Sequence, residues 1–189
     1  MSHGSGDNTV EQATENNQDN GAASGTNAQN QQSQQQTEEE LQAQKIATLT
    51  HQLINEGYTT VLQGEVKEHL DQFSTGTTYV TYYIKLDEAS NICGYPPGGV
   101  GVKPTTKTTQ TIVPSSNYKG KFPNEDAVRA FYSKLKGKKV LVGFNDGTEE
   151  IGWPGGVPCN MTLHSQYDCE LMNAGIPAYM RDLEVLEID

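Results

Sequence analysis

The stretch Asn124 to Phe144, NEDAVRAFYSKLKGKKVLVGF, carries the reading of the fold because its spacing changes halfway along. Asn124 is a good N-cap. Glu125 and Asp126 fill the first turn, where acids meet the positive end of the helix dipole. Ala127, Val128, Phe131, Tyr132 and Leu135 fall on one face. The spacing predicts a short helix over 124–135, ended by Gly137. From Lys138 the residues turn β-branched and apolar, so 138–144 reads as a strand.

Upstream, the side-chain period is 2. Tyr58, Leu62, Val66 and Leu70 alternate with Thr59, Gln63, Lys67 and His69, and Val80, Tyr82, Ile84 and Leu86 alternate with Tyr79, Thr81, Tyr83 and Lys85. These are two strands, and the turn-rich residues 71–76 between them favour an antiparallel hairpin. Gly64 interrupts the first strand where a missing side chain permits a bulge or a sharp barrel corner. Residues 89–107, rich in Gly and Pro, read as a long exposed loop, because proline has no ladder donor. Thr108–Val113 reads as a third strand, 138–144 as a fourth, and 179–188 as the last, after a long connection over 145–178.

At the other end, Thr37 and Glu40 make an S/T-x-x-E capping box, and Leu41, Ile46, Leu49, Leu53 and Ile54 recur at near-helical spacing up to Gly57. An amphipathic helix over 37–57, packed on the domain behind it, is expected, with His51 on its surface. Residues 1–36 are built from Gln, Asn, Ser, Thr, Gly and Ala, with Met1 and Val10 as the only large apolar side chains. They cannot bury enough surface to offset roughly 1–2 kcal/mol of backbone ordering per residue, so a disordered tether is expected. Tethers of this composition commonly follow a lipid anchor. Met1 would then stand where the lipid-bearing cysteine was, and the protein would be extracytoplasmic, in the periplasm or on the cell surface. No window approaches the roughly 18 consecutive apolar residues that span a bilayer.

Strand, strand, strand, helix, strand, strand resembles the OB-fold, a five-stranded barrel with a helix between strands three and four. Over residues 58–189 the resemblance rests on the Gly64 bend, the 124–135 helix and the passage Leu135-Lys-Gly-Lys-Lys-Val140, a KLKGKKV-type turn similar to those of exported bacterial OB-like domains. It implies a mainly β fold with an additional N-terminal helix. Function in that group is largely unassigned.

Charge narrows the partners. Of the net −11, residues 1–40 contribute −7, residues 103–139 are +7 and residues 140–189 are −8. A phosphate-tracking groove would have to share a small domain with an acidic segment of similar size, which argues against nucleic acid. Lys134, Lys136, Lys138 and Lys139 read as a solvated helix end and strand start.

Among chemistry-bearing groups, Cys93, Cys159 and Cys169 are disulfide candidates, and an odd count leaves one thiol over. Cys159-x4-His164-x4-Cys169 repeats three ligands of a zinc knuckle, but Gly156 stands where the first cysteine would be. A metal- or thiol-dependent enzyme on Cys159, His164 and Cys169 is therefore an alternative reading. Asn160-Met161-Thr162 matters only in a eukaryotic secretory pathway. No loop has the spacing of a nucleotide cradle, and no cofactor is expected. Glu149-Glu150 and Asp87-Glu88 read as solvated turn carboxylates.

The aromatic residues remain. Tyr79 and Tyr83 face outward on strand two if Val80 and Ile84 face inward, and Trp153 sits in the long connection. Exposed aromatics anchor protein or sugar partners because they bury large area at low entropic cost. Alternatively, both tyrosines pack beneath the 37–57 helix. The expected function is a non-enzymatic binding module engaging a protein or glycan through strands two and three and the 145–178 loop. Single-stranded nucleic acid is the further alternative.

Overall fold

The computed structural model describes residues 25–72, 76–98, 100–114, 121–154 and 177–189. The chain divides into two units, Met1–Glu40 and Leu41–Asp189. In chain order the elements are helix α1 (Gly25–Asn55), strands β1 (Thr60–Gln72), β2 (Thr78–Gly94) and β3 (Thr105–Pro114), helix α2 (Glu125–Leu135), and strands β4 (Lys139–Phe144), β5 (Ile151–Gly152), β6 (Ala178–Met180) and β7 (Leu183–Glu187). The fold is mainly β, with one curled sheet in the order β5-β6-β3-β2-β1-β4-β7.

The sheet curls until one chain segment serves both of its flanks. β6 pairs with β3 in parallel and β7 pairs with β4 antiparallel, yet only Arg181 and Asp182 separate β6 from β7. The expected last strand over 179–188 is thus a single run broken in two. With β5 as a short addition, this accounts for seven strands where the pattern predicted five. β1 makes the opposite corner: residues 60–65 pair with β4 and residues 64–72 with β2, so the strand changes partner at Gly64 and Glu65. A Cβ on Gly64 would stand 2.6 Å from the Lys85 carbonyl oxygen and 2.8 Å from Ile84 Cγ2. Close approach of two strands, rather than an unusual dihedral, requires glycine here. The register of β1 runs unbroken through this point, and the bulge lies instead in β2, between Lys85 and Ser90.

α2 lies between β3 and β4 as its spacing predicts. Asn124 Oδ1 accepts the Ala127 N–H at 2.9 Å, which satisfies one of the donors that a helix start leaves open. Val128, Tyr132 and Leu135 join Val66, Ile84, Ile112, Val142 and Phe144 in the main core. Burial, and secondarily Glu184, push the Tyr132 phenol well above its ordinary value near 10. The unfolded phenol ionises at that ordinary value, so the stabilisation is complete below it and is lost as pH rises beyond it. Thermal melts at pH 8 and pH 11 are expected to differ less in Tyr132→Phe than in the parent. An equal gap in both proteins would contradict this.

Two element boundaries differ from the local pattern. The helix begins at Gly25, upstream of the Thr37 capping box, because residues 26–55 contain neither Gly nor Pro and are rich in Gln, which costs a helix little. Residues 1–24, the greater part of the expected tether, lie outside the described residues. Similarly, residues 89–94 and 105–107 of the expected 89–107 loop are strand. Asn91 and Ile92 pair with Thr108 and Lys107 across β3, so the Gly-Pro interruption is confined to residues 95–104.

The C-terminal turns of α1 dock on the outer side of β4 and β7. Leu53 is fully buried against Leu141 and Ile188, with Ile46, Leu49 and Tyr58 around them. The helix therefore does not cover Tyr83, which belongs to a separate cluster with Val113 and Tyr179. No helix among the described residues is long and apolar enough to cross a membrane.

Candidate functional site

Cross-strand partners place their side chains on the same face of a sheet, so register shows what the outer surface of the barrel presents. Starting at β1, Lys67 stands opposite Tyr83 of β2. Tyr83 packs on Val113 of β3, and Val113 stands opposite Tyr179 of β6. Tyr179 stands opposite Gly152 of β5, and Gly152 bridges to Tyr95, just beyond the end of β2. The outer face thus carries one continuous row, Lys67, Tyr83, Val113, Tyr179, Gly152 and Tyr95. Two tyrosines flank the glycine, and the missing side chain leaves a slot between them.

That slot is the centre of a groove of about 350 Å³, near the lower end of small-ligand sites. Tyr95, Pro97, Glu149, Trp153, Tyr179 and Arg181 line it. A Cβ at Gly152 would meet nothing closer than the Tyr95 carbonyl oxygen at 3.9 Å, so the space above the glycine is open. Its backbone is held firmly: the Tyr95 N–H donates to the Ile151 carbonyl at 2.9 Å, and the Trp153 N–H donates to the Tyr95 carbonyl at 2.9 Å.

Trp153 is a correction. Its surroundings in sequence, Gly and Pro, suggested an exposed anchor, but it is 4% exposed and belongs to the core. Its indole N–H donates to the Thr105 carbonyl at 2.8 Å, and Lys107 Nζ sits 5.6 Å from the ring centroid, within range of a cation–π contact. Gly94 makes room for the ring, since a Cβ there would lie 3.0 Å from Trp153 Nε1. Trp153 forms the floor of the groove and contributes no free projecting ring. Tyr83 is half-buried in the row, whereas Tyr79 stands opposite Asp71 in the register and its side chain lies outside the described residues.

Several lysines are held in ion pairs. Lys67, Lys121, Lys136, Lys138 and Lys139 pair with Glu65, Glu184, Glu68, Glu187 and Asp87. Among the described residues, Arg181 and Lys107 have no carboxylate partner, and neither has Lys85 or Lys103. The pairing of Lys136 with Glu68, together with a hydrogen bond from Tyr82, holds the Glu68 carboxyl below its ordinary range. These paired residues stabilise their local geometry, and Arg181 is the cation on the groove's lining.

Cys93 is a half-buried free thiol whose N–H donates to Asp146 Oδ1 at 2.7 Å, while its carbonyl accepts the Gly147 N–H at 3.0 Å. These bonds tie the turn after β4 to the end of β2. Cys159, His164 and Cys169 lie outside the described residues, and so does any pairing of the two cysteines. Among the described residues no three His, Cys, Asp or Glu side chains gather as a metal site.

Sequence reasoning placed Tyr83 on the outer face but missed Tyr95, Gly152, Tyr179 and Arg181. Tyr95 was submerged in a loop composition, and Tyr179 enters the row only through the parallel β3–β6 pairing, which no local pattern announces. No family model, curated protein or solved structure matches the chain.

Proposed function

We propose that this chain is a non-enzymatic binding module of the exported OB-like kind, acting outside the cytoplasm and engaging a protein or glycan through the outer row from Lys67 to Tyr95. The observation that carries the reading is the continuity of that row: three tyrosines and a glycine slot in register across neighbouring strands, on the face where OB barrels present their ligand surfaces. Half-buried tyrosines over a rigid ladder offer large contact area with little entropy to lose. The extracytoplasmic placement is supported by the composition of residues 1–36 alone, and fractionation of cells expressing the gene's full product tests it.

A glycan and peptide array probed with the parent and with Gly152→Val tests the binding reading. The added side chain has room, so the melting temperature is expected to stay within a few degrees while it fills the slot. Binding should fall by about 30-fold or more, the size expected for a central hot spot. Undiminished binding by Gly152→Val would refute the assignment of the groove. The rings of this face, with Arg181 beside them, would also suit single-stranded nucleic acid, for which affinity should fall steeply with salt.

A further inference from the structure

We propose that β1 accepts a further strand, an extended basic segment of a partner protein, laid along Val61–Gln63 in a gap between β1 and β2. The site is separate from the outer row and stands without it. Register produces the gap. β1 pairs with β2 only as far as Gly64 opposite Leu86, although β1 begins at Thr60 and β2 runs on to Gly94. β2 is diverted there by its bulge, advancing five residues from Lys85 to Ser90 while β3 advances two, from Thr111 to Thr109. The turn after β4 closes the far end: Asn145 Oδ1 accepts the Thr59 N–H at 3.1 Å, and Asp146 Oδ1 accepts the Cys93 N–H at 2.7 Å. Between these ends lies a cavity of about 410 Å³, lined by Val61, Leu62, Gln63, Asp87, Glu88 and Ser90.

Backbone direction decides what this edge offers. The Lys139 carbonyl accepts the Ile188 N–H at 2.9 Å, so Lys139 turns its backbone groups to β7. Residues opposite one another in an antiparallel pair either bond mutually or both turn away, and the two cases alternate along the strand. Glu65, Gln63 and Val61, opposite Lys139, Leu141 and Gly143, therefore turn their N–H and C=O groups toward β2. Lys85 meets those of Glu65, and no described strand meets those of Gln63 and Val61. Such an edge is a template for strand addition. Other edges offer less: β5 is paired with β6 and bridged to Tyr95, and on β7 the Leu183 carbonyl already accepts Lys121 Nζ at 2.6 Å.

The lining narrows the segment. Leu62 and Ser90, opposite buried Val142 and Thr109, form the floor, so a side chain pointing inward is small or apolar. Asp87 is paired with Lys139, whereas Glu88 has no ionic partner among the described residues, and the lining itself carries no cation. A lysine or arginine of the added segment supplies one. A ladder this short binds weakly, so an array that ranks tight ligands does not report it.

Amide exchange and chemical shifts of the isotope-labelled full chain test this. In the free chain, the Val61 and Gln63 amides should exchange at least about tenfold faster than those of Leu62 and Gly64, which bond to β4. End-blocked peptides of three Lys-Val or three Glu-Val repeats are then added at millimolar concentration, with two versions of the first in which either the lysine or the valine nitrogens are methylated. The Lys-Val peptide should shift the Val61, Gln63 and Asp87 amides and slow exchange at Val61 and Gln63 by about tenfold at saturation. At least one methylated version should lose this effect. The Lys-Val peptide should bind about threefold tighter than the Glu-Val peptide, as an exposed ion pair allows, and Glu88→Lys should reverse that order with the melting temperature unchanged. The proposal is overturned if Val61 and Gln63 exchange slowly in the free chain, if no peptide slows them, if both methylated versions act like their parent, or if the shifts centre on the outer row. Equal binding of the two peptides overturns the assignment to a basic segment.

Discussion

Replacing Gly64 with valine is expected to cost about 3 kcal/mol of stability, the upper part of the range for overpacking a closed core. The first atom added would lie 2.6 Å from a backbone oxygen of β2 and 2.8 Å from Ile84, a fully buried side chain. Neither can move freely. The oxygen belongs to a strand paired on both sides, and Ile84 is packed among Val66 and Ile112. The same position faces Val140 of β4 as well as Leu86 of β2, so relief toward one partner strains the other. Even Gly64→Ala should be clearly destabilising, whereas Gly152→Val, where the space is open, should shift the urea midpoint little. Equal midpoints for the two valine variants would show that β1 does not make its corner at Gly64.

Trp153→Ala should be comparably severe, about 3–5 kcal/mol by the usual cost of removing a large buried aromatic. The ring fills space between the end of β2 and the start of β3, and its N–H satisfies the Thr105 carbonyl. Trp153→Phe restores most of the volume but leaves that carbonyl without its donor, so about 1–3 kcal/mol should remain lost. An exposed anchor would behave otherwise: its truncation would weaken binding and leave the melting temperature in place. Parent emission should be blue-shifted and poorly quenched by iodide. A solvent-like spectrum together with a stable Trp153→Ala protein would return Trp153 to the surface.

Much of this architecture was legible from periodicity. The α2 stripe, the β1–β2 hairpin and the Lys138–Phe144 strand each announce themselves within a dozen residues, because burial on one face writes a local repeat. Trp153 shows where that logic fails. Glycine and proline around it signal a loop, and the loop does turn there, but β5 carries it back into the core through pairings with Tyr95 and β6 that join residues far apart in sequence. The 89–107 segment failed for a related reason: Ser90 to Gly94 have little alternation of their own and are strand because β3 lies beside them. The binding row is the extreme case. Its members come from five segments, and only the register of the curled sheet puts Tyr83, Tyr179 and Tyr95 in line.

Amide chemical-shift mapping of the whole chain with the tightest array ligand tests that row most directly. Perturbations are expected to concentrate at Tyr83, Tyr95, Val113, Gly152, Trp153, Tyr179 and Arg181, with the α1 docking surface at Leu53, Leu141 and Ile188 silent. Shifts centred on that helix-packed side, or on the cleft between Leu62 and Glu88, with the row unmoved, would contradict the account.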